Sequence, residues 1–134
     1  MKKCSPERAW STVKHVVYVD AGFSNGQGRL AWFDETTQDH GYKKADCKDS
    51  FRCEYAGVKF MLGDCKDIKD GDELEVRIDN EVVAKQLNHD SAINDEDVRN
   101  DAFKIWDWSK KRRVTTNFVR VPRKENKAGK ILGS

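Results

Sequence analysis

Two acidic residues follow directly on apolar segments. Val16-Val17-Tyr18-Val19 runs into Asp20, and Leu74-Glu75-Val76-Arg77-Ile78 runs into Asp79. A carboxylate buried at such a place is costly unless it is paired or bound to a metal. Capping of a turn, a role for which Asp is well suited, is the plain alternative. A third carboxylate, Glu54, lies one turn after Ser50 beside an apolar stripe. Three carboxylates brought together repel one another unless a cation sits among them. Hard oxygen donors suit Mg²⁺ or Mn²⁺. Such a set fits two-metal hydrolysis of a phosphodiester, in which one metal activates a water and the other stabilises the leaving oxygen.

These residues need elements that make them converge. Val16–Phe23 reads as a strand covered on both faces, as at the centre of an α/β sheet. Ser24-Asn25-Gly26-Gln27-Gly28 is a turn, followed by a strand over Arg29–Phe33 and an edge strand over Gly41–Ala45 whose lysines suit an edge. Asp49-Ser50 opens a helix in which Phe51, Tyr55, Val58 and Leu62 recur at helical spacing, with Gly63 as its stop. Leu74–Asp79 alternates as a strand. A short helix follows over Val82–Leu87, then a long one over Glu96–Lys111. Arg113–Val121 is the last strand, ended by Pro122, and Lys124–Leu132 forms a short terminal helix. The order βββαβααβα predicts a five-stranded mixed α/β sheet flanked by helices, with strands 1–3 an antiparallel meander and strands 4 and 5 parallel to strand 1. Sites in such sheets form outside the carboxyl ends of the strands. Parallel neighbours would therefore set Asp20 beside Asp79, with Glu54 joining from the intervening helix.

The 134 residues suffice for one domain, expected to span 1–134 with residues 1–12 loosely ordered. Charged residues make up 36% and hydrophobic ones 37%, but 10% aromatics argue against a disordered chain. No stretch is long enough for a membrane span, and no secretory signal follows Met1, so a cytoplasmic location is expected. Cys4, Cys47, Cys53 and Cys65 form no Cys-x-x-Cys pair; a zinc site is not expected, and reduced thiols are the default in that compartment. The net charge of +2 is uneven: Lys104–Ser134 holds ten Lys or Arg against two acidic residues, a net +8 that leaves −6 for residues 1–103. Such a segment marks either a polyanion partner or a solvated charged face.

Four segments in order resemble the type 1 ribonuclease H family. They are Tyr18-Val19-Asp20-Ala21-Gly22-Phe23-Ser24-Asn25-Gly26, then Cys53-Glu54-Tyr55-Ala56-Gly57, then Arg77-Ile78-Asp79-Asn80-Glu81-Val82-Val83, and finally Val121-Pro122-Arg123-Lys124-Glu125-Asn126. The ending is most similar to archaeal-type members, and the match spans roughly residues 14–132. The resemblance implies a ribonuclease H-like fold and divalent-metal cleavage of the RNA strand of RNA/DNA hybrids by Mg²⁺ or Mn²⁺ held on Asp20, Glu54 and Asp79. It gives Arg123 a part in helping the attacking water or product release. It places Asn25, Ser50, Asn80, Glu81 and Asn126 at positions that meet the substrate. It implies the hybrid as partner, with neither a membrane nor an obligate protein partner.

The chain departs from the family at several points. Lys130 stands where the ending Asn-x-x-Ala-Asp-x-Leu carries a fourth carboxylate, and Gly129 replaces the Ala. Asn80 stands for the common Ser. The first turn is one residue short, so the match of Asn25 is approximate. The basic protrusion after the second helix is absent; Asn88–Asp101 is acidic instead. Lys130 supports an alternative, a non-catalytic or weakened nucleic-acid-binding module on the same fold. Of Trp106 and Trp108, one is expected in the core and the other free to stack on a sugar or base. His15, His40 and His89 have no ligand spacing and read as ordinary, and Cys53 reads as core.

Overall fold

The computed structural model describes residues 12–133. Cys4 and all but Thr12 of the loosely ordered start expected from the sequence lie outside the described residues. The elements are β1 (Lys14–Ser24), β2 (Gln27–Asp34), β3 (His40–Asp46), α1 (Ser50–Asp64), β4 (Glu73–Ile78), α2 (Glu81–Leu87), α3 (Glu96–Arg112) and β5 (Thr115–Arg120). Two 3₁₀ turns follow, η1 (Arg123–Glu125) and η2 (Lys127–Lys130). The sheet order is β3-β2-β1-β4-β5, with β1–β2 and β2–β3 antiparallel and β1–β4 and β4–β5 parallel. This is the mixed sheet that the sequence predicts, with β1 at its centre and β3 at an edge.

The Val-Val-Tyr-Val run is apolar throughout because both faces of β1 are covered. Val17 and Val19 meet the helices, packed with Tyr55, Val58 and Met61 of α1 and Ala102 and Ile105 of α3. Tyr18 and Ala31 of β2 are covered on the other face by Ala128 and Leu132 of the terminal segment. β4 alternates for a reason: Leu74, Val76 and Ile78 are buried, while Arg77 donates to Tyr18 Oη at 2.8 Å and pairs with Glu75 at 2.7 Å.

Asn25 (φ 53) and Gly26 (φ 76) supply the two left-handed residues of the tight β1–β2 turn, closed by the pairing of Ser24 with Gln27. Asp49, not Ser50, caps α1, accepting from the Arg52 N–H at 2.8 Å. β5 starts at Thr115 and not at Arg113, because Arg113 (φ 54) is the left-handed C-cap of α3. The terminal helix expected over Lys124–Leu132 is two 3₁₀ turns. It breaks at Asn126, whose extended backbone is fixed by its side chain: Nδ2 donates to the Val19 carbonyl at 2.9 Å and Oδ1 accepts from the Ala128 N–H at 3.1 Å.

The acidic stretch that replaces a basic protrusion is spent on the first helix. Asp95 pairs with Arg52 and Asp101 with Lys59 at 2.7 Å, so α3 is laid onto α1 by charge as well as by apolar contact, and Asp97 pairs at 3.4 Å with Lys48 just before α1. Both tryptophans are held in the fold. Trp106 donates to the Leu87 carbonyl at 2.9 Å and stacks on His89, and Trp108 lies under Arg112. His15 is far from ordinary. It is buried, with Nδ1 2.8 Å from Asp34 Oδ2 and Nε2 3.2 Å from Asp72 Oδ2. At the outer edge of β5, Asn88 donates to the Phe118 carbonyl and accepts from its N–H. No helix among the described residues is long and apolar enough to cross a membrane.

Candidate active site

Asp20 lies within β1, not at its end. Pairing with β2 carries the strand on to Ser24, but pairing with β4 stops at Tyr18 opposite Arg77. A gap therefore opens between the two parallel strands, and Asp20 stands beside it. Asp79 follows the last residue of β4. Asn80 then caps α2 by accepting from the Val83 N–H at 3.1 Å, which turns the chain away and leaves Asp79 at the mouth. Glu54 comes from the first half of α1. It reaches the gap because Gly57 lets the helix settle on β1: a Cβ there would sit 3.2 Å from Val19 Cγ1 and 3.8 Å from both Ala21 Cβ and the Asp20 carbonyl. The sequence quotes Gly57 within a motif, and the close approach is what requires it.

Carboxylate oxygens of Asp20, Glu54 and Asp79 all lie within 4.8 Å of one another. Asp20 is 2% exposed, and its Oδ1 accepts from the Ala21 N–H at 2.9 Å. Burial, then the neighbouring Asp79, push its pKa up to about 6. Burial, then Asp79 and Asp20, push Glu54 up to about 8. Arg123 opposes both rises as the nearby cation. Asp79 Oδ2 is buried with no hydrogen-bond partner. A buried carboxylate oxygen left unpartnered among two further carboxylates fits a divalent cation held by oxygen donors.

The other predicted residues differ in exposure and in what they bond. Asn25, Ser50 and Glu81 are exposed, on the β1–β2 turn and at the starts of α1 and α2. Glu81 pairs with Lys85 at 3.5 Å. The side-chain oxygen of Asn80 is engaged in its cap. Asn126 is 3% exposed with both ends of its amide bonded within the protein, so it anchors the segment that carries Arg123. Arg123, Lys124, Asn126, Gly129 and Lys130 line one cavity of about 450 Å³, and Lys130 is exposed there.

The basic segment is partly neutralised. Lys111 pairs with Asp107 at 3.0 Å, and Arg112 with Asp70 at 2.8 Å and the Ile68 carbonyl at 2.7 Å. Lys110 and Arg113 instead line a groove of about 850 Å³ with His89, Trp106, Asn117 and their neighbours, none of which belongs to the carboxylate cluster.

No protein-family model matches the sequence, and no curated protein matches it. Solved structures do. LC11 ribonuclease H1 in complex with an RNA/DNA hybrid superimposes with a TM-score of 0.76 at 18% identity, over 89% of this chain and 99% of that one. Ribonuclease H1 from Halobacterium salinarum gives 0.75 at 20% identity, over 86% and 90%. The N-terminal ribonuclease H domain of a Mycobacterium tuberculosis protein gives 0.74 at 19% identity, over 86% of each. The chain has the ribonuclease H fold of these type 1 structures.

Proposed function

We propose that this chain is an endoribonuclease that hydrolyses the RNA strand of RNA/DNA hybrids with a divalent cation. The observation that carries the reading is the convergence of Asp20, Glu54 and Asp79 within 4.8 Å where β1 and β4 part, with Asp79 Oδ2 buried and unpartnered. On this fold, with one neighbour described in complex with an RNA/DNA hybrid, that cluster sits where phosphodiester chemistry is expected. These three carboxylates would hold Mg²⁺ or Mn²⁺, which when bound supplies an activated water and charge stabilisation at the scissile phosphodiester.

The rest is the work of side chains. Asp20 and Glu54, raised to about 6 and about 8, release protons as the cation is taken up. Arg123, already facing the cluster electrostatically, supplies positive charge for the attacking water or the departing product. Asn25, Ser50 and Glu81 offer exposed polar groups to the RNA strand, where the 2′-hydroxyl is both donor and acceptor. Asn80 and Asn126 hold α2 and η1 in place around that strand. Lys110 and Arg113 of the basic segment hold phosphates, which fixes orientation without reading sequence. A single 1–134 domain acting in the cytoplasm, without a membrane or an obligate partner, goes with this reading.

The test is cleavage of a labelled hybrid with Mg²⁺ or Mn²⁺, against duplex DNA and duplex RNA. Cleavage confined to the hybrid and lost with a chelator supports the proposal; hybrid binding without cleavage sinks it. That second result favours a weakened nucleic-acid-binding module, a reading motivated by Lys130, an exposed ammonium where the family carries a carboxylate.

A further inference from the structure

Gly28 of β2 has no side chain, and the space for one is taken by two sulfurs. A Cβ built there falls 2.4 Å from Cys53 Sγ and 2.8 Å from Cys47 Sγ, so the sulfurs are no farther apart than those two distances laid end to end. We propose that Cys47 and Cys53 form a reversible disulfide, an oxidative modification site at the N-terminus of α1 whose oxidant is a hydroperoxide.

The surroundings give each sulfur a different part. Cys53 is fully buried in the first turn of α1, with Sγ 3.6 Å from the Gly22 carbonyl. Cys47 is half-buried, in the short connection between Asp46 at the end of β3 and the Asp49 cap. The oxidant therefore meets Cys47 first. Its thiolate attacks one peroxide oxygen, and the O–O bond breaks to give a Cys47 sulfenic acid and an alcohol or water. The Cys53 sulfur then displaces the sulfenic hydroxyl. The S–S bond forms, the S–O bond breaks, and the hydroxyl leaves as water with the Cys53 proton. Two electrons pass from the sulfur pair to the peroxide, and a thiol reductant returns them.

An S–S bond of about 2.0 Å requires the sulfurs to close on one another. Since Cys53 is fixed in the core, the 47–49 connection must move. It carries the Asp49 cap and leads into Ser50, and Glu54 follows Cys53 directly. Oxidation thus pulls on the Asp49 cap of the first turn of α1, the turn that leads into Glu54. The third described thiol, Cys65, is at the far end of α1 with Sγ 3.8 Å from Asp34 Oδ2 and is not in reach. The crosslink does not depend on the ribonuclease reading; its effect on hybrid cleavage does.

The full chain is treated with hydrogen peroxide, its free thiols are alkylated, and its peptides are mapped by mass. The expected result is a linked Cys47–Cys53 peptide that dithiothreitol removes and Cys47→Ser prevents. Hybrid cleavage falls several-fold on oxidation and recovers on reduction, while Cys47→Ser keeps basal cleavage and does not respond. Cys47 and Cys53 both alkylated after peroxide, Cys47 sulfinic acid without a crosslink, or linkage of Cys47 to Cys4 would overturn the proposal. A crosslink that leaves cleavage unchanged would overturn the coupling to the site. A chain that cleaves no hybrid before oxidation refutes the ribonuclease reading, and the peptide map still decides the disulfide.

Discussion

Removing the Asp20 charge is expected to abolish cleavage and to stabilise the metal-free protein. Asp20 has its pKa raised from the usual 3.8 to about 6, by burial first and Asp79 second. For a carboxyl raised in the folded state, stability is fullest below the unfolded value and is lost as pH rises through the folded one. The window is therefore about pH 4 to 6, and above it the ionised Asp20 costs the fold about 3 kcal/mol, at about 1.4 kcal/mol per pH unit. Asp20→Asn keeps an oxygen for the Ala21 N–H and removes the charge. At pH 7 without metal it should gain about 2–3 kcal/mol, a melting temperature higher by on the order of 10 °C for a chain of this size. At pH 4 the two proteins should melt together. Saturating Mg²⁺ or Mn²⁺ should erase the difference, because the cation binds only the native wild type. Calorimetry at the two pH values, with and without metal, reads all of this. A gain of equal size at pH 4 would refute the electrostatic argument, and normal cleavage by Asp20→Asn would refute the metal assignment.

Glu54, pushed up to about 8, should make metal affinity rise with pH between about 6 and 8, with proton release visible as a buffer-dependent binding heat; a flat profile would contradict its place in the cluster. Gly57→Ala puts a methyl 3.2 Å from Val19 Cγ1, so denaturant unfolding should show a loss of about 1–3 kcal/mol, with metal affinity reduced because Glu54 is lifted away. Lys130→Asp should raise cleavage at low metal concentration, and metal-titration curves that superimpose on wild type would mean that Lys130 serves only the surface. Replacing Lys110 and Arg113 by Ala should flatten the salt dependence of hybrid binding by about one to two phosphate contacts, an effect that Lys111 and Arg112, already paired with Asp107 and Asp70, should not give.

The sheet was legible because its signals are local. Apolar runs fix strands, the Asn25-Gly26 turn fixes a hairpin, and the order of elements leaves few topologies. The convergence of Asp20, Glu54 and Asp79 was legible because two parallel neighbouring strands that lead into Asp set those residues side by side, and the intervening helix brings the Glu. The end of the chain was not. The run after Pro122 carries residues compatible with a helix, and the choice of 3₁₀ turns rests on Asn126 bonding Val19, 107 residues away. His15 was misread for a similar reason, since its partners lie 19 and 57 residues off. Asp95, Asp97 and Asp101 looked like the loss of a binding surface, but their meaning depended on which cations in and just before α1 would face them.

The imidazole of His15 sits at the end of β1 opposite the carboxylates, held between Asp34 at the close of β2 and Asp72 just before β4. It works as an index pin. A slip of β1 by one residue exchanges the face of every side chain and brings Val19 or Ala21 to the place of Asp20. The same slip would pull His15 off both aspartates and leave two buried carboxyl groups each short of a hydrogen bond, at a cost of a few kcal/mol. The alignment of the reacting end is thus enforced from the other end of the same strand. Substitutions at His15 are expected to disable the site without coming near it.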